Sequence, residues 1–505
     1  MDLTPLVRRR FVKQAERVDR WASSADEVQH RLLLDLVGMA KNTEIGRRYD
    51  YASIRNYNDF SRRVPVVEYE DIRSEVMRMV GGEADVLWRG VCRNFAQSSG
   101  TSGGKSKFIP ITADSLRINH YPGASDSVAG YMRLVPNSRI FSGKGLILGG
   151  SFANELGLDN RRVKVGDLSA NLIDRINPIV NLMRVPSKRI ALMADWEKKL
   201  PALIEASIGQ NITNISGVPS WFLTLLRGVM QKAHVDRISD VWPNLEVFFH
   251  GGISFEPYRD EYKRITDPGR MHFIETYNAS EGFFAAQNTF DDQAMLMLLD
   301  RGVFFEFAPM TGTGEWGEPM PIWEIEEKKT YALIISGCNG LWRYSIGDTL
   351  RVESLYPLKI RIAGRTKSFI NAFGEELMEH NADAAIASAC RTHGASIGNY
   401  TAAPVYTTDT SRGRHQWLIE WHVAPADIAQ FAQTLDCELQ RLNSDYQAKR
   451  AGDIFLDGLS ITTAREGLFD DWLLTVGSGK LGGQRKVPRL SNNREIIDSM
   501  LRLNV

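Results

Sequence analysis

Four cysteines in 505 residues, at positions 92, 338, 390 and 437, form no Cys-x-x-Cys pair. That scarcity argues against a disulfide scaffold and a zinc site, and the thiols are expected to be buried in a reducing cytoplasm. Net charge is lacking as well: 61 basic residues balance 61 acidic ones. No field-scale attraction to nucleic acid or to an anionic membrane follows from such a balance. No apolar run approaches the roughly 20 residues of a membrane helix. The amino terminus, Met1-Asp2-Leu3 leading to Arg8-Arg9-Arg10, has none of the apolar stretch of a signal peptide. The nine histidines show no His-Glu-x-x-His or comparable ligand spacing. Repeats and low-complexity tracts are absent too. What is left is a cytoplasmic globular chain of enzyme size, long enough for two or three domains.

Glycine and serine are abundant in one place. Ser98-Ser99-Gly100-Thr101-Ser102-Gly103-Gly104-Lys105-Ser106-Lys107 is a loop of small residues with two lysines at its far end. Glycines let a backbone approach the oxygens of a polyphosphate, and the N–H and O–H donors share the negative charge. A flexible linker has the same composition. Gly104-Lys105-Ser106 ends like a Walker loop, and Gly100-Thr101-Ser102-Gly103-Gly104 spells a nucleophile elbow. Both motifs must run into a helix. Here Phe108-Ile109-Pro110-Ile111-Thr112 follows, which reads as a strand. The loop is therefore expected to be the tip of a hairpin that wraps phosphates.

Helical periodicity covers about 5–42, and a long region of alternating short strands and amphipathic helices follows. Strands are expected at Gly145–Leu148, Glu246–Phe249, Met271–Glu275, Gly302–Phe307 and Ala332–Ser336, and helices at Trp196–Ala206 and Pro219–Gln231. Near Gly364 the character changes. Glu376–Cys390 reads as a helix, Thr401–Tyr406 and His415–Val423 as strands, the latter with Trp417, Ile419, Trp421 and Val423 on one face. A helix with the stripe Ile428, Phe431, Ala432, Leu435, Leu439 and Leu442 is opened by Pro425. The expected fold is α/β, a large multi-sheet domain over 1–363, a hinge over 364–370 and a smaller, mobile α+β domain over 371–505.

Three further clusters carry chemistry. Glu275-Thr276-Tyr277-Asn278-Ala279-Ser280-Glu281-Gly282 follows an apolar strand. At a strand's carboxyl end Tyr277 could stack on a base and Glu281 bind a hard cation, or the loop could be only polar and solvated. Arg343-Tyr344-Ser345-Ile346-Gly347-Asp348 offers an aspartate for a ribose diol, or a turn former. Lys480, Arg485, Lys486 and Arg489 lie in a glycine-rich tail, as a solvated surface or with one lysine at an α-phosphate. His250-Gly251-Gly252-Ile253 is expected at a strand end lining a pocket, and Trp221 in helix packing or at that pocket.

The order of these clusters resembles the Gretchen Hagen family, acyl acid amido synthetases first known from auxin-responsive plant genes. Ser98-Ser99-Gly100-Thr101-Ser102 with Gly104, Lys107 and Pro110 is similar to the family's first nucleotide motif. Tyr277, Ser280 and Glu281 resemble the second, Arg343-Tyr344 with Gly347-Asp348 the third, and Lys486-x-Pro488-Arg489 the carboxy-terminal one. Ala279 stands where the family often has serine, and Val487 where it has threonine. Gly364-Arg365-Thr366-Lys367-Ser368-Phe369-Ile370 resembles the hinge of the wider adenylate-forming class, with Lys367 as pivot. The resemblance implies an adenylation domain, ATP and Mg²⁺, and a monomer acting on a carboxylic acid and an amino acid. Acyl-AMP and pyrophosphate form first, and the amine then displaces AMP. It also implies roles: Ser98, Ser99, Gly100, Thr101, Ser102, Gly104 and Lys107 at the phosphates, and Glu281 at the metal. Tyr277, Ser280, Arg343, Asp348 and Arg365 fall at the nucleotide, and Lys486 at the α-phosphate. No residue identifies the acid, the amine or the base. An acid–thiol ligase and a non-catalytic nucleotide-binding protein on the same scaffold stay open as alternatives.

Overall fold

In the computed structural model the expected strands assemble into one large sheet. The structure describes residues 2–98, 106–154, 156, 163–311, 315–365, 368–370, 372–373, 375, 377–406, 413–450, 456–475 and 487–504. Among these, twelve strands form the large sheet, and its two halves differ. Lys144–Ile147, Arg184–Val185, Ile212–Gly217, Val247–Gly251 and His272–Ala279 run parallel. From Gly282–Gln287 onward the ladders are antiparallel, through Val303–Pro309, Thr330–Gly337, Tyr344–Leu355 and Leu358–Arg365.

The parallel half is covered on both faces, as the period of two along a strand demands. Phe248 points into a cluster with Phe222, Leu226 and Tyr262. Its neighbours Val247 and Phe249 point the other way, to Tyr131 and Met132 of the Tyr121–Leu134 helix. The helices start where their caps allow. Pro219 occupies the first turn of Pro219–Ala233, and Asp195 accepts the Lys198 N–H at 3.3 Å to open Trp196–Ile208. The helical N-terminal stretch is two helices, Thr4–Ala22 and Ala25–Ala40.

The strands that flank the glycine-rich segment pair as a hairpin, as the sequence predicts. Asn94–Ser98 pairs antiparallel with Lys107–Pro110, so that Ser98 stands opposite Lys107. Residues 99–105 lie outside the described residues, and with them Ser99, Gly100, Thr101, Ser102 and Gly104.

Beyond Arg365 a separate core forms around Ile386, Trp417, Phe431 and Leu435. Its helix begins at Glu379, three residues later than expected, because Leu377–Met378 pairs as a short strand with Phe369–Ile370. Asp427, not Pro425, opens the Ile428–Leu442 helix by accepting the Gln430 N–H at 3.0 Å. Of the row expected on one face, Trp417 and Ile419 are fully buried, while Val423 is exposed at the strand's end. Cys437 is exposed, unlike the other three cysteines. No described helix is long and apolar enough to cross a membrane.

Candidate active site

A cavity of about 2100 Å³ lies at the carboxyl ends of the parallel strands, where the hairpin, the antiparallel half and the small domain converge. Open α/β sheets bind ligands at this end. Ser98, Lys107, Tyr277, Ser280, Glu281, Asp348 and Arg365 all line it. Residues drawn from four separate stretches of chain are thus brought together.

Lys107 sits between two aromatic rings. Its Nζ donates to the Tyr344 hydroxyl at 3.3 Å, and it lies 5.8 Å and 6.0 Å from the ring centroids of Tyr344 and Tyr69. Tyr69 in turn accepts the Phe108 N–H at 2.7 Å, which fixes the start of the second hairpin strand. Burial lowers the Lys107 pKa, while the charge of Glu281 pulls it back up. An ammonium held in this half-desolvated setting binds an incoming anion strongly.

Glu281 faces it from the turn between His272–Ala279 and Gly282–Gln287. Tyr277 and Asn278 are thus strand residues, and only Ser280 and Glu281 form the turn. The Glu281 carbonyl accepts Asn339 Nδ2 at 2.8 Å, and a Cβ on Gly282 would meet the Phe284 ring at 2.6 Å, so a side chain there would have to displace that ring. Burial raises the pKa of the Glu281 carboxyl, and Lys107 opposes it.

Asp348 stands opposite Arg365 in the ladder between Tyr344–Leu355 and Leu358–Arg365. Arg365 Nε reaches Asp348 Oδ1 at 3.2 Å, and the Tyr277 hydroxyl donates to Oδ2 at 2.6 Å. Gly347, at φ +88°, adopts the left-handed backbone that re-aims the chain just before Asp348. A carboxylate accepts about four hydrogen bonds, so both oxygens keep capacity for a ligand. Burial alone would lower the Arg365 pKa, but Asp348, Glu379 and Glu281 outweigh it and raise it.

Arg343 is not part of this cavity. Its guanidinium reaches Glu306 through Nε at 3.1 Å to each carboxylate oxygen and through Nη2 at 2.9 Å. Nη1 donates to the carbonyls of Ser61 and Val64 at 2.9 Å each. Every arm is engaged inside the protein, so the expected nucleotide contact is replaced by a structural pair. Lys486 and Lys367 lie outside the described residues.

Several lining residues escaped the sequence reading. Glu275 is two residues before Tyr277, on the same strand face, and burial pushes its carboxyl up to about 7. Strand alternation could have found it. His120, deeply buried beside the cavity, is pushed down to about 4 by desolvation, against a smaller pull from Asn278. Tyr69 and Tyr344, buried behind the cavity, become a lysine clamp only through tertiary packing: Tyr344 stands in the third motif, but no local signal marks either ring for this role. Gly251, Gly252, Ile253 and Trp221 do line the cavity, whereas His250 is buried behind it against Phe248 and Phe255. The small domain contributes Arg489, paired with Asp383 near the Tyr400 ring. Tyr258 of the large domain donates to the Gly398 carbonyl at 3.0 Å across the junction.

Models of the GH3 family match most of the chain: its N-terminal domain over 14–173 and 154–271, central domain over 296–365 and C-terminal domain over 380–495. The chain is 22% identical to the probable indole-3-acetic acid-amido synthetase GH3.1 of Arabidopsis thaliana, covering 97% of this chain and 92% of that one. It is 23% identical to the indole-3-acetic acid-amido synthetase GH3.8 of Oryza sativa subsp. indica, covering 95% and 90%. Among solved structures, the GH3.15 acyl acid amido synthetase superposes with a TM-score of 0.79 at 18% identity, over 97% of this chain and 96% of that one. A 2-hydroxyisobutyryl-CoA ligase in its postadenylation state superposes at 0.54 and 12% identity, over 98% and 91%.

Proposed function

Because the chain belongs to the GH3 family, we propose that it is an ATP-dependent ligase that joins a carboxylic acid to the amine of an amino acid. The observation that carries this reading is the meeting of Lys107, Glu281, Asp348 and Arg365 in one cavity at the carboxyl ends of parallel strands. Phosphoryl chemistry needs positioning and charge neutralisation more than a covalent nucleophile, and this set supplies both.

The hairpin loop and Lys107 hold the β- and γ-phosphates. Asp348, oriented by Tyr277 and Arg365, takes the ribose hydroxyls, and the Tyr277 ring meets the base. Lys486 stands at the α-phosphate, where negative charge grows in the transition state. Glu281 suits a magnesium ion: it is a buried hard donor beside the phosphate lysine, and no described group of three His, Cys, Asp or Glu could hold a metal without substrate. Magnesium takes one or two carboxylates and fills its shell with phosphate oxygens and water. When bound, the ion neutralises phosphate charge.

A carboxylate oxygen of the acid attacks the α-phosphorus in line, and pyrophosphate leaves. The amine nitrogen then attacks the acyl carbon, gives up a proton, and AMP leaves with the electron pair of the broken C–O bond. The acyl-adenylate is prone to hydrolysis, so the domain after residues 364–370 turns about Lys367 to exclude water and then admit the amine.

Acid-dependent exchange of labelled pyrophosphate into ATP tests the first half-reaction. Lys486→Ala is expected to lower it by about 10²–10³-fold with an unchanged melting temperature. Normal exchange in that variant removes Lys486 from the mechanism. Mass spectrometry of reactions containing ATP, mixed acids, mixed amino acids and coenzyme A tests the second half, and a coenzyme A thioester in place of an amide overturns the amine assignment.

A further inference from the structure

Resting on this reading, we propose that the acid carries an extended aliphatic tail, which lies in a lane running from the adenylation site down one face of the parallel sheet. The floor of the lane is Gly145 and Ile147 on one strand, Asn214 and Ser216 on the next, and Phe249 on the third. These residues share a face by register: Gly145 stands opposite Asn214, Ile147 opposite Ser216, and Ser216 opposite Phe249. On the other face of the same strands Leu146, Ile215 and Phe248 are sealed under helices. Gly145 and Ser216 are the small members of this face, and Ile147, Asn214 and Phe249 the larger ones.

The roof is one stripe of the Tyr121–Leu134 helix: Tyr121, Ala124, Ser125 and Val128, at the i, i+3, i+4, i+7 spacing of a single helical face. Its upper end lies beside the reaction centre, where Gly123 is so close to Phe283 that a Cβ would come to 2.7 Å. The lower end is closed by Phe11 and Phe141, stacked with centroids 5.4 Å apart. From Ile147 down to Gly143 is four residues, about 13 Å at the strand rise of about 3.3 Å per residue. Two of the polar groups at mid-length are engaged: Gln14 Nε2 donates to Ser125 Oγ at 3.0 Å, and Asn214 Nδ2 to Thr213 Oγ1 at 3.2 Å. A lane of this length with Ile147, Phe249 and Val128 along it rewards methylenes, whereas a compact bicyclic acid leaves its lower half empty.

The test uses the full-length protein with ATP, and measures pyrophosphate release in hydroxylamine for straight-chain acids from butanoic to tetradecanoic, beside indole-3-acetic acid. The expected result is a kcat/KM that climbs about four-fold per methylene, stops when the tail reaches Phe11 and Phe141, and exceeds that of the indole acid. Val128→Trp plugs the lower half and is expected to move the optimum to shorter acids. Ala124→Leu, higher on the same lane, replaces it if that variant does not fold. Rates that are flat or falling with chain length, an indole acid that outperforms the series, or an unmoved optimum in the folded variant overturn the proposal while leaving the ligase reading intact. The absence of pyrophosphate release with every acid of the panel overturns the ligase reading beneath it, and the proposal with it.

Discussion

Two arginine–carboxylate pairs in the antiparallel half of the sheet do opposite things. Arg343 and Glu306 have side chains only 7% and 0% exposed, and every guanidinium nitrogen is bound within the protein. Arg365 and Asp348 are 42% and 12% exposed, joined by a single contact at 3.2 Å, and open to the cavity. The first pair holds Arg343 at φ +42°, a left-handed conformation that a long side chain adopts only when its surroundings fix it. The second is positioned but unsaturated. Chemistry of side chains alone does not separate structure from function here; the fraction of each group's hydrogen-bonding capacity left for a ligand does.

Breaking the saturated pair should have the largest effect. Glu306→Gln leaves a buried guanidinium uncompensated and is expected to cost about 3–5 kcal/mol of stability, read from urea denaturation. Arg343→Met combined with Glu306→Leu should recover most of that loss, since a well-packed apolar replacement removes both desolvation penalties. A single variant as stable as the parent would show that the pair is not structural.

His120 sharpens the comparison, being a buried titratable group with no counter-charge to hold it ionised. Its pKa falls from 6.5 to about 4 on burial, so the folded protein binds the proton less readily than the unfolded chain. The stability this group confers is complete above pH 6.5 and is lost as pH falls from there toward about 4. The loss amounts to about 3 kcal/mol at most. His120→Leu should therefore show a flatter stability profile than the parent across that window. Parallel profiles would sink the idea.

Opening the unsaturated pair should be smallest in stability and visible in binding. Asp348→Asn is expected to raise the KM for ATP by about 10–100-fold, the loss of a charged hydrogen-bond acceptor. Its melting temperature should stay close to the parent's. A large drop in stability with an unchanged KM would reverse the roles assigned to the two pairs.

The reading from sequence failed at Arg343 for a physical reason. Arg343 and Asp348 stand five residues apart in one motif, yet Glu306, which captures the arginine, lies 37 residues upstream. Nothing local to Arg343 announces that partner. The hairpin was legible because glycine-rich and β-branched segments have opposite backbone preferences, and the helix stripe 428–442 because its period is 3.6. The lysine clamp was not: Tyr69 and Tyr344 come from a helix and a distant strand, and pairing them with Lys107 depends on how the sheet and the N-terminal helices dock.

The sequence by itself determined which segments become strands and helices, where the glycine-rich loop turns, and which family the motifs point to. Those properties are local, set by backbone sterics and side-chain period. Tertiary structure decided the rest: which lysine is clamped between aromatics, which arginine is consumed by the core, and which sheet face keeps a lane open. Each of these depends on burial and on partners far along the chain, and only packing sets the local dielectric and the hydrogen bonds left unspent.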